Sequence, residues 1–158
     1  MNIFTLNIVL AFAWAALTGN ITLTGLAIGF LIGLAALYLT KSLFPGCDSY
    51  FRRGGLWAKL IVLFLYELII SSVQVVWDVL TPTHKSRPRI ISMPLDAKTE
   101  MEVLLVTNLI SLTPGTLSLD VSEDRTTLYI HAMFADDPEA IRKQLKDGTE
   151  RWVMEAMK

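Results

Sequence analysis

"LWAKLIVLFLYELIISSVQVVWDVL", residues 56–80, decides the fold. It exceeds the roughly 20 apolar residues that a helix needs to cross a bilayer. It is not uniformly apolar, however. At 100° per residue, Glu67, Ser71, Gln74 and Asp78 fall within one narrow sector. Trp57 and Trp77 stand near opposite ends, where interface anchors belong. Glu67 sits close to the middle, and an ionisable group at that depth must face protein or water. The helix therefore needs a partner along its polar stripe. The preceding apolar segments offer only hydroxyls and Asn side chains, so another polypeptide is the expected partner. Glu67 has two readings: part of a proton or cation path, or a buried hydrogen bond or ion pair that fixes subunit docking. Docking is the preferred one, because a lone carboxylate without a Lys or His series across several helices makes no relay.

Upstream, residues 3–18 are apolar and uncharged, Gly19-Asn20 breaks the run, and residues 21–44 are apolar again until Pro45-Gly46. Apart from Lys41, no charge interrupts them, and they read as a helical hairpin in lipid. The first run is short for a full span. The absence of a basic n-region argues for a retained membrane segment over a cleaved signal. Gly25, Gly29 and Gly33 lie at four-residue spacing, which lets a second helix approach closely on that face. The loop "PGCDSYFRRGG" (45–55) is polar, and its Cys47 is a small loop residue. As the single cysteine it excludes an internal disulfide or a Cys-rich metal site.

Of the 158 residues 53% are apolar, unevenly spread. Residues 1–80 carry four basic and three acidic side chains, and residues 81–158 carry ten basic and twelve acidic ones. A membrane part (1–82, with helices at about 3–18, 21–44 and 56–80) is thus followed by a water-soluble part (83–158). Three spans put Arg52, Arg53 and Lys59 on one side and Lys85, Arg87 and Arg89 on the other, so the positive-inside count is nearly tied. The tie breaks if one early segment does not fully cross. The larger C-terminal domain is assigned to the cytoplasm.

"TPTHKSRP" (81–88) is an extended exit whose basic side chains suit the headgroup zone, with His84 as an interfacial residue. "RIISMPL" (89–95) alternates as a strand. "TEME" (99–102) fits a capping box, with Thr99 as N-cap and Glu102 at N3, opening a helix to about Ser111. Its apolar residues cover nearly the whole circumference, so it is buried on more than one side. "TLSLDVS" and "TTLYIHA" make a β-hairpin. Leu117, Leu119 and Val121 share one face of it, Leu128, Ile130 and Ala132 point inward, and His131 points outward. Asp137-Pro138-Glu139 starts a last helix with apolar face Ile141, Leu145, Trp152, Val153 and Ala156, and with Gly148 on that face. The expected fold is therefore about three transmembrane helices followed by a small β-α-β-β-α domain, an α+β unit near a truncated ferredoxin-like arrangement.

In "NLISLTPGTLSLDV" (108–121), Thr113-Pro114-Gly115-Thr116 is a structural turn, with Pro at the second position and Gly at the third. The string offers neither the glycines nor the Lys of a phosphate-binding loop. No cofactor-binding, metal-binding or catalytic pattern stands out elsewhere, and the net-acidic soluble half argues against nucleic acid.

"WDVLTP" (77–82), "IISMPLD" (90–96) and "LVTNLISLTPGTLSLDVSEDRTTLYIHAM" (105–133) resemble the E subunit of the Mrp-type (Mnh or Pha) multisubunit sodium/proton antiporters of bacteria. The resemblance covers nearly the whole chain. It implies an accessory subunit, not an enzyme, in a multisubunit assembly of the bacterial inner membrane that exchanges sodium for protons. Its partners would be the other integral-membrane subunits and lipid. The larger subunits would carry most of the ion transport, while this one aids assembly and stability and contributes at most an interfacial ion path. The alternative is a stand-alone membrane-anchored module that recruits a soluble partner through its α+β domain.

Overall fold

The structure is a computed structural model that describes residues 2–44, 46–82 and 86–158. The expectations for Pro45 as a helix terminator, and for His84 and Lys85 in the headgroup zone, lie outside the described residues. The chain divides into two compact units, Met1–Gly55 and Leu56–Lys158.

In the first unit, helix α1 (Ile3–Leu17) is capped by the Asn2 side chain, and α2 (Leu23–Leu39) by Thr22. Both helices bury one residue in four. Ile3, Asn7, Ala11 and Ala15 of α1 face Gly25, Gly29, Gly33 and Leu37 of α2. A side chain at Gly29 would put its Cβ 2.7 Å from the Ala11 carbonyl oxygen, and one at Gly33 would collide with Asn7 Oδ1. The glycine spacing thus marks a real seam, and Asn7, Ala11 and Ala15 are its other half. Cys47 is fully buried with Ile3 and Leu37, against Tyr50 and Phe51. It is a packing residue, not a loop residue.

The helix boundaries differ from expectation. The second helix stops at Leu39, followed by a 3₁₀ turn over Lys41–Leu43. The polar Thr40-Lys41-Ser42 run turns polar groups back on the chain there: the Thr40 hydroxyl donates to the Ala36 carbonyl, and the Lys41 ammonium lies over the Tyr38 ring. Helix α3 runs from Cys47 to Leu80, 34 residues, and takes in most of the stretch read as a polar loop. Asp48 sits in its positively polarised first turn, and Tyr50 and Phe51 anchor that turn by packing. Gly54 and Gly55 have nothing within 4 Å, so they simply continue the helix. Among the described residues, α3 is the one helix long and apolar enough to cross a membrane by length and composition. The 15 residues of α1 and 17 of α2 make helices about 22 and 26 Å long.

In the second unit, the C-terminal part of α3 is followed by β1 (Arg89–Pro94), α4 (Glu100–Leu112), β2 (Thr116–Val121), β3 (Thr127–Ala132), α5 (Pro138–Leu145) and α6 (Arg151–Met157). The sheet order is β1-β3-β2, and both neighbouring pairs are antiparallel. Consequently β1 and β2 run the same way, and α4 carries the crossover between them. Met93, Val106, Ile110, Leu128, Ile130 and Val153 form the core. Leu60 of α3 is buried in it with Leu56 alongside, which is why this unit begins at residue 56 and not at the expected 83. The capping box is present. Thr99 Oγ1 accepts from Glu102 N at 3.2 Å, and Glu102 accepts from the Thr99 and Lys98 amides. Those two amides hold the Glu102 carboxyl below its ordinary range.

Strand β2 corrects the alternation argument. Ser118 pairs with Ile130 and Val121 with Leu128, so both point to the core face, with a register shift between Ser118 and Asp120. The bulge splits the expected trio. Val121 turns inward, whereas Leu117 and Leu119 are about half exposed on the other face, beside Ile90 and Tyr129. Ser118 fits inward because α4 supplies its partners: its hydroxyl donates to the Thr107 carbonyl, and its amide donates to Ser111 Oγ. Nor is the last helix continuous. A π-helical turn, Lys146–Glu150, separates α5 from α6.

Candidate functional site

Glu67, Ser71 and Gln74 of α3 line a small cavity of about 110 Å³. Its opposite wall is the Thr113–Thr116 turn, with Gln144 of α5 at its edge. The two sets of residues singled out in the sequence therefore meet, although more than thirty residues separate them along the chain. Glu67 Oε1 lies 3.8 Å from where a Cβ on Gly148 would stand, so the missing side chain of Gly148 leaves room for the carboxylate. Over this stretch the polar stripe faces the chain's own domain, the role that sequence reasoning gave to another polypeptide. Asp78, one helical repeat further on, is buried and lines a separate, larger depression with Ile70, Val73, Trp77 and Phe134.

The turn is built by its own hydroxyls. Thr116 N donates to the Thr113 carbonyl at 3.2 Å and closes a β-turn with Pro114 and Gly115 in the central positions. Gly115 has φ +89°, a left-handed value that its lack of Cβ makes accessible. Thr116 Oγ1 donates to the Ile110 carbonyl at 2.7 Å, and Thr113 Oγ1 donates to the Leu109 carbonyl at 2.9 Å. These bonds satisfy the last carbonyls of α4 and hold the turn against the cavity. Gly115→Ala keeps ordinary contact distances to Phe134 but strains the backbone by about 1–3 kcal/mol. The melting temperature of the purified assembly should fall with it, whereas Gly54→Ala, at an open helical position, should hold or raise that temperature.

Sequence reasoning missed Glu150. It lies in the π-helical turn and is almost fully buried, and its Oε1 accepts from the amides of Asp96 at 2.6 Å and Ala97 at 3.0 Å. Lys146 reinforces the same loop, bonding the Pro94 carbonyl and the Asp96 carboxylate, each at 2.9 Å. The only sequence sign of this irregularity is Asp147-Gly148-Thr149, a run of poor helix formers. At the N-terminal end of this part of α3, Lys59 Nζ meets Glu155 at 2.9 Å, and that bond holds the Glu155 carboxyl below its ordinary value. Among the described residues no three His, Cys, Asp or Glu side chains converge as metal ligands would.

Apolar helices joined to a small α+β unit, with the polar stripe turned onto the chain itself and apolar side chains left outside, define a membrane component made to be assembled with others. The profile of the family described as Na+/H+ ion antiporter subunit matches residues 7–156. The E subunit of the Na+/H+ antiporter of Alkalihalophilus pseudofirmus is 38% identical over 155 residues, covering 97% of this chain and 96% of that one. The E1 subunit of the Staphylococcus haemolyticus antiporter is 38% identical over 150 residues, covering 95% and 94%. In the solved Mrp complex from Dietzia sp. DQ12-45-1b, a chain superposes with a TM-score of 0.51 at 28% identity, covering 64% of this chain and 94% of that chain. The chain belongs to the family of Na+/H+ antiporter E subunits, transporter components found in bacterial membranes, and its partners are other membrane subunits.

Proposed function

We propose that this chain is an accessory, bracing subunit of a multisubunit Na+/H+ antiporter in the bacterial inner membrane. In this reading the α1–α2 hairpin crosses the membrane and the α+β domain stands in the cytoplasm. The chain contributes to assembly and stability, while the larger subunits move the ions. The observation that carries it is the distribution of apolar surface. Met101, Leu104 and Leu112 on the outer side of α4, and Ile90, Leu117 and Leu119 on the open face of the sheet, are all exposed. Apolar surface on that scale marks an interaction site. Glu67 and Ser71 of α3, by contrast, are half-buried toward the turn and α5.

Glu67 belongs to this bracing. Glu67→Gln keeps a polar group in the cavity, so the complex should assemble and retain most of its antiport. Glu67→Leu puts an apolar side chain against the turn's polar groups, and should reduce the amount of complex recovered on native gels. Normal assembly with lost antiport in Glu67→Gln would overturn the bracing role and make Glu67 part of the ion path.

A further inference from the structure

Residues 56–80 of α3 carry the chain's own domain along nearly their whole length. At one end Leu60 is buried in the domain core and Lys59 is bonded to Glu155. In the middle Glu67 lies against Gly148. Toward the other end Val75 lies against Gly115, and Phe134 shares a depression with Trp77. From Lys59 to Trp77 the helix rises about 27 Å, nearly the roughly 30 Å thickness of the hydrocarbon core. A helix crossing the bilayer here would drag the domain through the same depth. Asp147 and Arg151, exposed on either side of the Gly148 that Glu67 lies against, would then lie near mid-membrane. Charged side chains are costly there. The outer edges of β1 and β2, at the two sides of the sheet, would be equally excluded, because lipid satisfies no backbone group.

The other side of the same stretch is apolar throughout. Ile61, Leu65, Ile69, Val73, Val76 and Leu80 are exposed there, with the amphipathic rings of Trp57, Tyr66 and Trp77 also in the open. One face covered by a charged domain and one face apolar, with aromatic rings along its length, is the pattern of a helix lying in the membrane surface.

We infer that residues 56–80 lie in the plane of the cytoplasmic headgroup–acyl boundary. Their apolar face is sunk among lipid chains and the α+β domain stands on the water side, in place of the expected third span. The charge pattern agrees, a point that rests on the proposed crossing of the hairpin, whereas the packing argument does not. With two crossings, Arg52, Arg53, Lys59, Arg87 and Arg89 all fall on one side, and the α1–α2 connection, residues 18–22, carries no charge. The near tie in the positive-inside count disappears.

The test uses the whole antiporter complex in lipid vesicles, with Cys47→Ala as background. Single cysteines replace Ile61, Leu65, Ile69, Val73 and Val76, each carrying a nitroxide whose depth is read from its collisions with oxygen and with a water-soluble nickel chelate. The expected result is one similar depth for all five, about 5–10 Å below the headgroups. A depth that peaks at Ile69 and falls away on both sides would overturn the inference in favour of a span. Labels shielded from both reagents would overturn it in favour of a face covered by another subunit. Impermeant maleimide on Asp48→Cys and Asp136→Cys should label both from the same side of the membrane, and opposite sides would also overturn it. Asn20→Cys separates the two ideas. If it labels from that same side too, the crossing hairpin fails, while equal nitroxide depths still establish the surface helix.

Discussion

Gly29→Leu should remove this subunit from the assembled antiporter. The obstruction is backbone, since the Ala11 carbonyl oxygen and the Ala11 Cα lie 2.7 and 3.1 Å from where the new Cβ would stand, with the Trp14 Cβ also at 3.1 Å. No side-chain rotation relieves a clash with a carbonyl, so α1 and α2 must move apart. Overpacking a well-fitted seam typically costs about 1–3 kcal/mol for a few extra methylenes, and a whole isobutyl group against backbone lies at or beyond the upper end. Separation also opens the contacts that Asn7 and Leu10 of α1 make at Gly33, one turn further along the seam. In detergent extracts the variant subunit should be depleted from the purified complex, with Gly29→Ala milder and Ile28→Leu, on the exposed side of the same helix, unaffected. Recovery of Gly29→Leu at wild-type stoichiometry would mean that the hairpin seam is dispensable for assembly.

Glu150→Leu should be the most damaging single change in the α+β domain. It strips the acceptor from two backbone amides, those of Asp96 and Ala97, at a place where Ala97 is itself buried. Each buried donor left without a partner costs about 1–3 kcal/mol, so the pair removes about 2–6 kcal/mol from a domain whose whole stability is of order 5–15 kcal/mol. Glu150→Gln keeps one carbonyl oxygen for the same amides and loses only the charge assistance, so its effect should be much smaller. Hydrogen exchange on the intact complex reads the difference directly. Protection of the residue 96–97 amides should collapse in the leucine variant and persist in the glutamine variant. Equal protection in both would show that the loop is held by Lys146 alone.

What the sequence made legible was local. The glycines of α2 announced a close helix contact by their spacing, and the capping box at Thr99 placed the start of α4 within a residue. Pro114-Gly115 announced its turn, since a proline followed by a glycine admits few other geometries. The polar sector of α3 was equally plain, but what it faces was not. Nothing in the local pattern around Glu67 says that residues 113–116 and Gln144 fold back upon it. The bulge in β2 escaped for a related reason. Alternation counts residues two at a time, and one extra residue between Ser118 and Asp120 reverses the remainder of the strand. The π-helical turn left even less trace, because it brings Glu150 to amides fifty residues away.

Asn7 carries a consequence for how the chain is made. Its side chain is fully buried in the α1–α2 seam, and its amide nitrogen donates to the Tyr50 hydroxyl at 3.4 Å. Tyr50 follows 43 residues later, in the opening turns of α3. In the proposed topology, then, the hairpin leaves the ribosome ahead of the hydroxyl that accepts from its buried amide nitrogen. Until Tyr50 emerges, the two helices hold together by the glycine and alanine contacts of the seam and by Ile3 with Leu37, and the Asn7 amide nitrogen between them lacks its acceptor. Biogenesis thus has a vulnerable interval written into residue order.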